Sequence, residues 1–183
     1  MKQLAVILSL SILIIGCNSN KNTNEKQTEF EKYANEIEKI KLPLETNCNE
    51  WLSSSQKGIS DSLIKSFGIE FSNVYGKLSE NENYTAIVYL YPADDVLPII
   101  KTTDKNGNKI AVLSLYENYC GEDENFWGVS WARINEDLSI QLGDSLVTFE
   151  RNENGEIIEE TKKTEVRNRY FYIDNNGQII EKK

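Results

Sequence analysis

Three Asn-Gly turns constrain this chain more than any other feature. They are Asp104-Lys105-Asn106-Gly107-Asn108, Glu153-Asn154-Gly155-Glu156 and Asn175-Asn176-Gly177-Gln178, each followed by an aliphatic run starting at Ile110, Ile157 or Ile179. Asparagine and glycine both tolerate positive φ, so Asn-Gly between such runs marks a tight β-hairpin. The runs are strand-like in their own right. Residues 84–91 are aromatic and β-branched, with apolar side chains on both faces as in a central strand, and 109–116 are similar. Residues 146–151 and 166–173 alternate, as in strands with one wet face. Pro92 and Pro98 bracket a piece expected at an edge or in a loop, because proline cannot donate to a ladder. The class is mainly β: a single antiparallel β-sandwich or curled barrel of roughly eight to ten strands.

A helical segment precedes the strands. Over residues 28–41, Phe30, Tyr33, Ile37 and Ile40 fall near one face, with Thr28 as N-cap, Glu29 and Glu31 in the first turn, Lys39 and Lys41 in the last, and Pro43 as the stop. Ser60 is expected to cap a second short helix that runs through Phe67 and ends at Gly68.

The extreme N-terminus has a different texture. Met1 and Lys2 form a basic start, residues 4–15 are apolar except for Ser9 and Ser11, and Ile14-Ile15-Gly16 leads into Cys17. A charged head, an apolar stretch and a small residue make an export signal. The stretch is shorter than the about 20 apolar residues that cross a bilayer. With a cysteine directly after the small residue, the segment resembles the lipobox of bacterial lipoproteins, although Ile14 stands where leucine is commonest. In that family the thiol receives a diacylglycerol, and cleavage frees the amino group for a further acyl chain such as palmitate. The resemblance implies a signal peptide over 1–16, lipidation at Cys17, a flexible tether over 17–27 and a soluble, mostly-β domain over 28–183. It also implies an anchor in the cell envelope, and Asn18 rather than aspartate after the lipid site implies the outer membrane. The chain as a whole resembles small acidic lipoproteins exported by Gram-negative bacteria, a family that supplies no activity to carry over. A two- or three-chain anchor holds stably without a membrane-spanning helix. Ten polar residues of tether reach about 35 Å at full extension.

Charge narrows the partners. The formal charge is −9, and removing residues 1–16 takes away one lysine, leaving −10. Nucleic acid is excluded, because its affinity comes from Lys and Arg against phosphate. Anionic headgroups repel such a body, so membrane contact is expected through the lipid anchor alone. The chain contains no histidine. That removes the commonest general base and transition-metal ligand, so neither a histidine triad nor a histidine zinc site can form. The turns fail as EF-hands: Leu113, Thr161 or Lys183 stands where the bidentate glutamate is required. No metal and no cofactor are implied. Once Cys17 is lipidated, Cys48 and Cys120 make an even pair in an oxidising compartment and are expected to form a disulfide.

Catalytic frames are weak throughout. Ser54 to Lys57 and Ser62 to Lys65 share the Ser-x-x-Lys spacing of penicillin-recognising enzymes, but the companion Ser-Asp-Asn and Lys-Thr-Gly motifs are missing. The best candidate ligand surface is the stretch with Tyr116, Tyr119, Cys120, Glu122, Asp123, Glu124, Phe126, Trp127 and Trp131. Aromatic rings offer apolar faces with polar tips, and carboxylates offer acceptors to sugar hydroxyls or cations. Trp127 and Trp131 equally suit a core beneath a solvated acidic turn. Asp61-Ser62-Leu63 and Asp144-Ser145-Leu146 resemble the Asp-Ser/Thr-apolar acceptor triplet, which implies Ser62 and Ser145 as O-glycosylation sites. The functional expectation is a non-enzymatic, membrane-anchored binding or structural module for an envelope protein or a glycan. The alternatives are an inhibitor or immunity-type protein that meets a basic toxin or hydrolase, and an envelope hydrolase using paired carboxylates.

Overall fold

Asparagine and aspartate side chains set the hairpins. The computed structural model describes residues 28–50, 52, 58–93, 96–116 and 120–183. Within it the loops 104–108, 135–139, 152–156 and 174–178 share one hydrogen-bond pattern. In each, the first residue's N–H donates to the fifth residue's carbonyl at 2.9 Å, and the fourth residue's N–H donates back to the first carbonyl at 2.9–3.1 Å. The fourth residue must then be left-handed. Gly107, Gly155 and Gly177 take φ of 85°, 81° and 81°, and Leu138 takes 62°. Three of these loops are the Asn-Gly turns of the sequence. The fourth carries no glycine and is not legible as a turn by that signal.

Ten strands and two short helices follow in the order α1 (Glu29–Glu36), β1 (Leu44–Asn47), α2 (Asp61–Phe67), β2 (Asn73–Glu80), β3 (Thr85–Pro92), β4 (Val96–Thr103), β5 (Lys109–Ser114), β6 (Gly121–Asp123), β7 (Phe126–Ile134), β8 (Ser139–Arg151), β9 (Ile157–Ile173) and β10 (Ile179–Lys182), counted among the described residues. They form two antiparallel sheets. The first is the meander β2-β3-β4-β5, and the second has the order β1-β7-β8-β9-β10 with β6 added beside β7. The sheets pack face to face, Leu78, Ala86, Val88 and Ile100 meeting Ala132, Ile134, Ile140, Leu142 and Phe171. Each large aliphatic side chain buried there contributes about 1.5–3 kcal/mol.

The first sheet is covered on both faces. Ala86 and Val88 of β3 point into the sandwich, while Ile87 and Tyr89 pack with Phe30, Tyr33, Ala34 and Ile37 of the helical layer. That is the physical reason for β3 being apolar on both sides. Two lysines of this sheet hold the helix ends: Lys77 Nζ donates to the Ala34 carbonyl at 3.0 Å, and Lys101 Nζ donates to the carbonyls of Phe67 and Gly68 at 2.6 and 2.7 Å. Cations suit helix C-termini, whose last carbonyls lack intrahelical donors.

Two expectations need correction. The first helix has the expected Thr28 cap, completed by Glu31 as a capping box, but ends at Glu36 rather than near Lys41. Residues 38–40 instead run along the edge strand β2, the Lys77 N–H donating to the Glu38 carbonyl and the Ile40 N–H to the Lys77 carbonyl. The apolar period continues through Ile37 and Ile40 because both are buried or half-buried, in extended chain. Pro98, expected at an edge or in a loop, lies inside β4 between β3 and β5. Its carbonyl accepts from the Leu115 N–H. The missing N–H points the same way, so only the reciprocal bond to Leu115 is forfeited, at the position where β5 ends. The second helix stands as expected, with Ser60 as N-cap and Gly68 as C-cap.

Candidate functional site

The outer face of the second sheet has no helical cover among the described residues. Its pattern follows from the register. On β7 Gly128 and the side chains of Ser130, Ala132 and Ile134 are buried, the last two against the first sheet, so Trp127, Val129, Trp131 and Arg133 face outward. Opposite-residue pairing carries that face across the sheet. Asn47, Trp131, Gly143 and Asn168 form one row; Glu45, Arg133, Gln141, Tyr170 and Lys182 form the next. Val129, Ser145 and Val166 line the row on the other side. Val166 is 62% exposed and Tyr170 47%.

Trp131 owes its position to Gly143. A Cβ on that glycine would sit 2.1 Å from Cε2, 2.2 Å from Cζ2 and 2.5 Å from Nε1 of the indole. The ring therefore lies against the β8 backbone in a slot that any side chain would fill. Around it, Gln141 Nε2 donates to the Tyr170 hydroxyl at 3.3 Å, and Arg133 pairs with Glu45 at 2.8 Å. The Asn47 side-chain oxygen accepts from the Asn49 N–H at 2.9 Å.

Trp127 is in a different state. Its ring stands 5.3 Å from that of Phe149, and the Lys162 ammonium lies over it at 5.3 Å. Arg151 locks the strand tips beside it, bonding the carbonyls of Glu124 and Gly155 and pairing with Glu122 at 3.2 Å. Glu122 lies opposite Trp127 on β6, and Asp123 accepts from the Glu124 N–H. The Glu122 and Asp123 carboxylates of this acidic turn are thus engaged.

The residues singled out between positions 116 and 131 do not form one surface. Tyr116 is buried in the sandwich with its hydroxyl bonded to Thr46, and burial pushes its phenol up. Tyr119 lies outside the described residues. Phe126 alternates to the side of β7 opposite Trp127 and lines an open depression of about 610 Å³ with Thr148, Phe149 and Lys163. The Cys48–Cys120 disulfide is present, with Cα atoms 5.9 Å apart, and ties the end of β1 to the entry of β6. The Cys48 sulfur also accepts the Ser130 N–H at 3.2 Å. Asn47, Gln141, Gly143 and Asn168 escaped the sequence reading because only the register of four strands brings them to Trp131.

The other motifs are placed as follows. Ser62 is exposed on α2 and its hydroxyl bonds that of Ser60 at 2.9 Å, not the Lys65 ammonium. Ser145 is half-buried in the middle of β8, and residues 54 and 57 of the other Ser-x-x-Lys spacing lie outside the described residues, as does Cys17. Among the described residues, no group of three Cys, Asp or Glu could hold a metal ion, and no helix is long and apolar enough to cross a membrane.

No family model matches the chain, and none of the curated proteins or solved structures compared with it is similar.

Proposed function

We propose that this chain is a lipid-anchored, extracytoplasmic binding module of the cell envelope, held at the outer membrane through Cys17, that takes its ligand on the outer face of the second sheet. The observation that carries this reading is the asymmetry of the two outer faces. Helices bury Ile87 and Tyr89 on one, whereas on the other Val166, Tyr170 and Ile180 are exposed and Trp131 is only partly buried. Contiguous apolar surface on a chain this acidic, with a mean hydropathy of −0.49, is the ordinary mark of an interaction site. Residues 1–17 supply the address, with the charged start, apolar run, Gly16 and Cys17 described above.

Two measurements test it. Full-length chain made in a Gram-negative host is expected to carry acyl groups on Cys17 by mass spectrometry, and Cys17→Ser to leave the membrane pellet. Full-length protein in detergent is expected to bind envelope ghosts saturably, and a Trp131→Ala/Tyr170→Ala double variant to bind about tenfold or more weakly. An unmodified N-terminus beginning at Met1 overturns the anchor. Unchanged binding by the folded double variant overturns the site.

A further inference from the structure

We infer that the ligand class of this face is a neutral oligosaccharide, with the Trp131 indole as the stacking platform and the side chains of Asn47, Gln141, Asn168 and Tyr170 as hydroxyl partners; the inference rests on the binding-module reading above. A pyranose has apolar C–H faces and a rim of hydroxyls. Recognition therefore needs a fixed flat ring beside donors and acceptors on one surface. Gly143 fixes the ring by letting it lie against the backbone. The same register row places an amide on either side of it, Asn47 on β1 and Asn168 on β9. The next row adds Gln141 bonded to Tyr170. From β7 to β9 is two strand spacings, about 10 Å, so a short linear oligosaccharide laid across the strands reaches from Trp131 to the Asn168 and Tyr170 side.

Charge favours a neutral ligand. The chain carries −9 overall, yet the rows around Trp131 hold mostly uncharged amides and hydroxyls; their acid, Glu45, is paired with Arg133, and their other cation, Lys182, lies over the Tyr172 ring on the edge strand β10. A charged ligand draws its selectivity from unpaired charge of opposite sign at the contact. The two tryptophans are not equivalent in this respect. Lys162 already occupies a face of Trp127, whereas none of the cations among the described residues lies over Trp131.

The experiment titrates full-length protein in detergent micelles with cello-, chito- and manno-oligosaccharides, reading tryptophan emission and heat of binding. At least one is expected to bind saturably. Trp131→Ala should bind it about tenfold or more weakly, Asn168→Ala about fivefold, and Trp127→Phe like the parent. Asn168 is exposed, so its truncation leaves the fold intact and keeps the test valid even where Trp131→Ala disturbs packing. Binding that ignores Asn168 and Trp131 overturns the inference. If no oligosaccharide binds, the same variants are tested on a deglycosylated envelope-protein fraction. Retention that depends on Trp131 removes the glycan class and leaves the open-face module standing, whereas no such dependence removes both.

Discussion

The phenol oxygens of Tyr33 and Tyr89 stand 3.0 Å apart in the buried seam between the first helix and the central strand β3. Burial pushes Tyr33 up to about 12 and Tyr89 well above the ordinary value near 10. Both pKa values are raised on folding, so the folded state holds these protons more tightly than the unfolded chain does. The stabilisation is fully present below about pH 10 and is lost as pH rises from 10 towards 12, at a cost of about 3 kcal/mol from Tyr33. Denaturant titrations at pH 8 and pH 11 check this. Tyr33→Phe and Tyr89→Phe should each cost about 1–3 kcal/mol by stranding the other hydroxyl. The double variant should cost less than their sum and flatten the alkaline loss. An unchanged alkaline slope in the double variant assigns the pH dependence elsewhere.

The Cys48–Cys120 bridge closes a loop of 72 residues. In the chain-entropy account a loop of that length stabilises by up to about 4 kcal/mol. Reduction, or replacement of both cysteines by serine, should therefore lower the urea midpoint markedly. β1 pairs with β7 immediately beside the bridge, Asn47 lying opposite Trp131, so the ends should stay roughly in place and the fold should survive. A loss under about 1 kcal/mol would show that this strand pairing alone fixes the ends.

Much of this architecture was legible in the sequence wherever one local rule acted alone. The Asn-Gly turns, the two-faced apolar β3 and the two helix N-caps each rest on a few neighbouring residues. Legibility failed where tertiary context changed the meaning of a pattern. Ile37 and Ile40 continue a helical period but serve an extended segment beside Lys77. β9 runs 17 residues, yet its middle, residues 163–168, is exposed and, apart from Val166, polar, so the run starting at Ile157 and the alternating end over 166–173 do not read as one strand. The candidate site suffered most. Consecutive residues were grouped, although Phe126 and Trp127 lie on opposite sides of β7, and the partners of Trp131 come from β1, β8 and β9.

Lys101 is a second, half-buried tie between the helices and the sheet. Burial, and then the neighbouring Lys109, lower its pKa, and its ammonium bonds the last carbonyls of α2. Lys101→Met keeps the aliphatic stem and removes the donors, so it should cost about 1–3 kcal/mol. Hydrogen exchange should rise first in residues 61–67, with β7 and β8 unaffected. Uniform acceleration across both sheets would show instead that α2 does not open independently.

Two bulky residues are held left-handed, and they should answer the same substitution with opposite signs. Phe71 has φ 65° and is 77% exposed, in a turn where the Ser72 N–H bonds the Ile69 carbonyl at 3.1 Å. Leu138 has φ 62° but packs against the sandwich core. A side chain in this region costs about 1–2 kcal/mol that glycine avoids. Phe71→Gly gives up almost no packing, and after glycine's extra chain entropy it should stabilise by about 0.5–1 kcal/mol. Leu138→Gly gains the same relief but loses a half-buried leucine, worth about 1–1.5 kcal/mol, and adds the same entropy, so it should destabilise. Paired thermal melts decide the matter. If Phe71→Gly also melts lower, its ring is held by contacts that its exposure does not reveal, and backbone strain is not what governs that turn.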